Sequence, residues 1–149
     1  MIELIFVIVI LGILAAVAIP KLAATRDDAK VSAIVGNART ALGDITSFYT
    51  SQGETVWKDA GTVITDVTNV PFTGADCETA STGAADGGGK FYLCDSTGGT
   101  ICISFDTNDT HVTIADESAS TVCTQVQDDP AIVAMTAQPQ QLGGKGVVR

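Results

Sequence analysis

The hydrophobic rhythm of the chain changes four times along its length. Residues 1–19 have no rhythm at all: eighteen of the nineteen are apolar or glycine, and Glu3 is the exception. From Lys21 the apolar positions thin to a three- and four-residue spacing: Leu22, Val31, Ile34, Ala38, Ala41 or Leu42, Ile45 and Phe48. Arg26, Asp27, Lys30, Arg39 and Asp44 lie between them. Residues 54–89 are rich in Thr, Gly, Asp and Ala. From Lys90 apolar and polar residues alternate, most clearly at Ile101, Ile103 and Phe105 and at Val112 and Ile114. After residue 127 no period persists.

Each rhythm predicts an element. A run apolar on every side is a helix that no small soluble head can surround. Twenty such residues, at 1.5 Å each, match a hydrocarbon core of roughly 30 Å. The second pattern continues as an amphipathic helix over 21–52, ending near Ser51 with Gly53 as a stop signal. Unbroken from Ile2, this rod is about 75 Å long. In 54–89, Val63-Ile64 and Val67 suggest a short strand, Trp57 and Phe72 should pin the segment down, and Ser81–Gly89 should be exposed. Alternation predicts strands at Lys90–Asp95, Thr100–Phe105, His111–Ala115 and Thr121–Val126, the first two joined at Gly98-Gly99. In the tail, Asp129-Pro130 reads as the start of a helix, with Asp as N-cap and Pro in the first turn. The glycines after Pro139 suggest an extended coil. The expected fold class is therefore α+β: a long N-terminal α-helix packed on a small antiparallel sheet, an α/β roll.

Glu3 changes the meaning of the first run. A single carboxylate near the centre of a bilayer costs on the order of a few kcal/mol. A plain anchor accounts for the length but leaves Glu3 unexplained. A cleaved signal sequence would have a basic start and a shorter apolar core.

The order Ile2-Glu3-Leu4, then Val7 to Leu11, Gly12, Ile13 to Ile19 and Pro20, resembles the N-terminus of type IV pilins and the related pseudopilins of type II secretion. That signature has a glutamate near the mature start, small residues mid-run and a proline about seventeen residues later. The resemblance covers roughly the first thirty residues. Family members carry a basic leader ending in glycine and usually start with Phe and a small polar residue. By that pattern the leader and the first two mature residues precede Met1.

The resemblance implies that Glu3 pairs with the terminal amine of a neighbouring subunit, because a charge among apolar helices costs far less when paired. Glu3, Gly12 and Pro20 become assembly residues, and Ile5, Phe6, Ile8, Val9, Ile13 and Leu14 pack in a filament core. Residues 1–20 form the membrane or filament-core helix, 21–52 the amphipathic helix and 53–149 the globular head. The head divides into a connecting region (53–89), a meander (90–126) and a tail (127–149). Gly12 and Pro20 weaken the helix between them, and the resemblance implies that this section loses helix in the filament.

Charge is uneven. Residues 1–50 balance four acidic against four basic side chains, so the whole net charge of −9 lies beyond residue 50. An acidic head keeps exposed surface soluble and opposes direct nucleic-acid binding. The four cysteines, Cys77, Cys94, Cys102 and Cys123, lie in that head with no metal-binding spacing. Behind a membrane segment they read as two disulfides. Three connectivities are open, and Cys77–Cys94 with Cys102–Cys123 is the favoured one.

Catalytic chemistry has little support: His111 is the only histidine, and no nucleophile elbow, phosphate loop or HExxH occurs. No cofactor is expected. Asp106, Asn108 and Asp109 are a weak calcium candidate, since oxygen ligands in a turn can hold that ion; they are also ordinary turn residues.

The expectation is a non-enzymatic structural subunit, a major pilin of an extracellular type IV pilus at the bacterial surface, anchored in the inner membrane before assembly. Its partners by resemblance are copies of itself, the pilus assembly machinery and a prepilin peptidase. The alternatives are a major pseudopilin of a type II secretion system and a monomeric membrane-tethered binding module.

Overall fold

The structure is a computed structural model, describing residues 2–59, 61–85, 89–96 and 98–143. Helix α1 spans Ile2–Gln52. Its Ser and Thr hydroxyls turn back onto the preceding turn: Thr25 donates to the Lys21 carbonyl, Ser32 to Asp28 and Thr40 to Gly36. Polar side chains on an open helix face are thus satisfied without a partner element. α1 ends where Gly53 takes a left-handed φ of 83°, and the Gly53 N–H donates to the Tyr49 carbonyl at 3.0 Å. Glycine adopts that φ without a Cβ penalty. Through Gly12–Pro20 the helix of the single chain is unbroken; the expected loss of helix refers to the assembled filament.

Two single-turn helices follow, α2 (Glu54–Trp57) and α3 (Ile64–Val67). The sheet has four antiparallel strands in the order β1 (Lys90–Cys94), β2 (Ile101–Thr107), β3 (His111–Asp116) and β4 (Gln140–Gln141). Between β3 and β4 the chain makes α4 (Thr121–Gln127) and α5 (Pro130–Thr136). In register, Phe91 faces Phe105 and Phe105 faces Ile114. With Ile103 and Val112 these side chains are buried. They meet Ile34, Val35, Ala38, Ala41 and Ile45 of α1 in one core. The protein is α+β, a long helix on an antiparallel sheet.

Three elements differ from their sequence pattern. Ile64–Val67 is a helical turn, because its two buried residues, Ile64 and Val67, stand three apart and face the core together; only Val63 keeps a β-bridge, to Ala84. Thr121–Val126 is helix and not a fourth meander strand. Val122, Cys123 and Val126 are buried at helical spacing, and Ser120 caps the helix by accepting the Cys123 N–H. Alternation over six residues cannot separate these two cases. Past Pro139 the tail adds β4 to the sheet edge and buries Leu142, and residues 144–149 lie outside the described residues. Of Ser81–Gly89, expected to be exposed, residues 86–88 lie outside the described residues, and Ala85 is fully buried, its N–H donating to the Thr62 carbonyl at 2.8 Å.

Trp57 and Phe72 do pin the connecting region. Trp57 is fully buried against Phe48 and Tyr49, and its Nε1–H donates to the Asn108 carbonyl at 3.1 Å. Phe72 stacks at an angle on Phe91 and Phe105.

Candidate functional site

The sequence of the first run dictates a helix, and the fold then leaves it bare. The head covers α1 only from Val31 onward among its large apolar residues. Below that, no large apolar side chain from Ile2 to Leu22 is less than 40% exposed. Fourteen such residues project on every side. At roughly 1.5–3 kcal/mol for a fully buried side chain, covering them is worth on the order of 20 kcal/mol. That exceeds the whole folding free energy of a typical domain, about 5–15 kcal/mol. An apolar surface this size does not stay in water. The helix is long and apolar enough to cross a membrane by length and composition.

Glu3 sits in the first turn of α1, the favourable end for a carboxylate next to free backbone N–H groups. Among the described residues no ion pair or side-chain hydrogen bond reaches it. Ile2, Ile5, Phe6 and Val9 line a shallow apolar concavity on one face of the helix; Ile8, Ile13 and Leu14 are equally exposed. Gly12 has open space where a Cβ would stand, and the backbone of Pro20 is helical.

The head is stapled twice. Cys77 bonds Cys94, with a Cα separation of 6.0 Å, and Cys102 bonds Cys123 at 4.6 Å. The first ties the loop before β1 to the strand end, and the second ties β2 to α4. Cys77 holds a left-handed φ of 56°, in a tight loop built on Asp76. The Glu78 N–H donates to that carboxylate, as do the Thr79 hydroxyl and N–H, and together they hold its pKa below the usual carboxylate value.

Asp106, Asn108 and Asp109 are neighbours in sequence but serve separate contacts. Asp106 lies 3.9 Å from Lys90 Nζ and Asp109 lies 3.4 Å from Lys58 Nζ. The Asn108 side chain accepts the Asp109 N–H. No group of three His, Cys, Asp or Glu side chains converges among the described residues. His111 lies on β3 opposite Gln141, 3.4 Å from the Thr110 hydroxyl. A shallow groove beside α1, lined by Ile34, Asn37, Thr73, Leu93 and Ser96 among others, carries no titratable side chain.

The polar network on the underside of the head is not visible in the sequence. Asp95 accepts the Thr100 N–H and the Ser96 and Ser120 hydroxyls. Burial pushes its carboxyl up, but these bonds and the charge of Lys30 outweigh it and leave the pKa below the ordinary value. Gln127 donates to the carbonyls of Cys102 and Ser118. Ser120, three residues before Cys123 in the N-cap position of α4, is the one local signal for it. Asp116 goes the other way: burial and then the charge of Asp128 raise its pKa.

Comparison with family models, curated proteins and solved structures yields no match.

Proposed function

We propose that this chain is a structural subunit that polymerises through its N-terminal helix, as the major pilin of an extracellular type IV pilus. One observation carries the reading: a helical stretch from Ile2 to Ile19, apolar on all sides but for Glu3, stands clear of a folded, disulfide-stapled head. Its only carboxylate, Glu3, is at the tip. A lipid bilayer satisfies the apolar side chains of a lone subunit but not Glu3. A bundle of like helices satisfies both, since each copy covers its neighbours and a neighbour's amine can pair with the carboxylate. Glu3 therefore biases the subunit from the membrane toward the assembly and sets its register. The acidic head stays outside the bundle and keeps the fibre soluble.

The test is cryo-electron microscopy of fibres sheared from the cell surface, with the intact mass of the subunit measured in parallel. Long fibres built from this chain, with α1 at their axis, are the expected result. If shearing releases nothing and the chain remains in the envelope, the reading fails and a pseudopilin or a tethered monomeric module replaces it.

A further inference from the structure

The turn between β2 and β3 carries chemistry that neither the stem nor the core uses. β2 ends at Thr107 and β3 begins at His111. The Asn108 N–H donates to the His111 carbonyl at 2.9 Å, which closes a two-residue loop of Asp109 and Thr110. Asn108, Asp109 and Thr110 are all exposed. The backbone behind them is held. The Asn108 carbonyl accepts from buried Trp57 at 3.1 Å, and the Thr110 carbonyl accepts the Leu142 N–H at 2.9 Å.

Turn formation accounts for only part of this sequence. Asn and Asp suit tight turns, and two-residue hairpin loops favour Asn-Gly or Asp-Gly. Position 110 departs from that pattern. It holds a β-branched threonine whose exposed side chain adds nothing to the core. The Thr110 hydroxyl lies 3.4 Å from His111 Nδ1. The Asn108 Oδ1 accepts the Asp109 N–H, and among the described residues Nδ2 has no hydrogen-bond partner. The Asp109 carboxylate is drawn to Lys58 at 3.4 Å, so the charge nearest the amide is answered.

An exposed asparagine amide followed two residues later by an exposed hydroxyl is the acceptor pattern for an asparagine-linked sugar. Of Asn37, Asn69 and Asn108, only Asn108 has Ser or Thr at that spacing. Asp106 adds a carboxylate two residues before it, where bacterial transferases of this class favour an acid.

We propose that Asn108 is the attachment site of an asparagine-linked glycan, with Thr110 as the hydroxyl that the transferase recognises. The donor class is a lipid-linked glycosyl pyrophosphate, used by a membrane-bound transferase. Nδ2 forms a bond to the anomeric carbon of the sugar. The bond from that carbon to the pyrophosphate oxygen breaks, the lipid pyrophosphate leaves with the electron pair, and one amide proton passes to a base of the transferase. The inference goes beyond the polymerising-subunit reading. It shares with that reading only a head outside the cytoplasm, which the two disulfides favour.

The site is placed to leave the stem free. Trp57 lies just past the end of α1, so the turn it holds is at the end of the head remote from the stem. The helix from Leu22 to Gln52 rises about 45 Å. A sugar on Asn108 therefore stays clear of the bare apolar run, whether lipid or other stems cover it.

The experiment compares the full-length parent with N108Q, T110V and T110S, each purified in detergent from the membranes of the cells that make it. Intact mass and the mass of the peptide containing Asn108 are the readouts. The parent is expected to carry sugar on Asn108, N108Q and T110V to lose it, and T110S to keep it. Thermal melting should be the same in all four, because the altered side chains are exposed, and it checks that each head is folded. An unmodified Asn108 in the parent overturns the proposal. So does sugar found only on other residues, or sugar that persists on Asn108 in a folded T110V chain. Fibres whose subunits lack the sugar overturn this inference and leave the pilin reading standing. Sugar on Asn108 of a chain that never forms fibres upholds this inference and removes that reading.

Discussion

Along the single helix α1, two stretches that both carry large apolar side chains meet opposite fates. Below residue 30 the large apolar side chains stand open on every side; above it, Ile34, Ala38, Ala41 and Ile45 recur at helical spacing and are buried. The upper stretch interleaves them with Gly36, Arg39, Thr40 and Gly43, so one face is left to solvent or a neighbour. From Leu4 to Ile19 the lower stretch has no polar side chain at all. A stripe can be covered by one sheet, whereas a helix apolar all round needs partners on all sides. The contrast teaches that the head is self-sufficient and the stem is not: the upper stretch acts through folding, the lower one through what surrounds it.

This division is testable, because changes above residue 30 should move stability and changes below it should move assembly. The largest effect belongs to the core. Phe105→Ala removes a fully buried ring that contacts Phe72 and should destabilise the head by about 3–5 kcal/mol, read as a drop in the denaturant midpoint. Next, replacing Cys102 and Cys123 by alanine opens a loop of 21 residues. The expected loss is about 2–4 kcal/mol, again in the head alone. Glu3→Ala should do the reverse: fibre yield falls by about tenfold or more, equivalent to roughly 1.4 kcal/mol of assembly free energy, while the melting temperature of the head is unchanged. A head that melts earlier in that variant would erase the distinction between the two stretches. Ser120→Ala removes the α4 cap and should cost about 1 kcal/mol, measured by thermal melting.

The smallest effect is a pH dependence confined to the head. The folded pKa of Asp95 lies below its ordinary value of 3.8. Its ionised form therefore supports the fold above that value, and the support is lost as pH falls through the folded pKa. Asp116 has a raised folded pKa, so its charge opposes folding at neutral pH and the opposition lifts as pH falls through that pKa. Asp95→Asn should lower the melting temperature at pH 7 and have less effect in strong acid. Asp116→Asn should raise it at pH 7, with the gain disappearing in acid. Opposite signs at neutral pH are the check.

The division of labour between stem and head is written in the order of the amino acids. The unbroken apolar run, its single carboxylate and the change of period at Lys21 make a rod with a bare end and a packed end, because helix geometry converts spacing directly into faces. Strands β1, β2 and β3 were also legible, since aromatic and β-branched residues alternate there between turn signals. Tertiary structure alone decided the rest. Thr121–Val126 and Ile64–Val67 are too short for their period to be read, and both became helix where core contacts and the Ser120 cap favoured it. Gln140–Gln141 became a strand only because β3 offered a free edge. The underside of the head was hidden for the same reason. Asp95 and Ser120 are 25 residues apart in the chain, and only the folding of β1 and α4 together brings the carboxylate within reach of that hydroxyl.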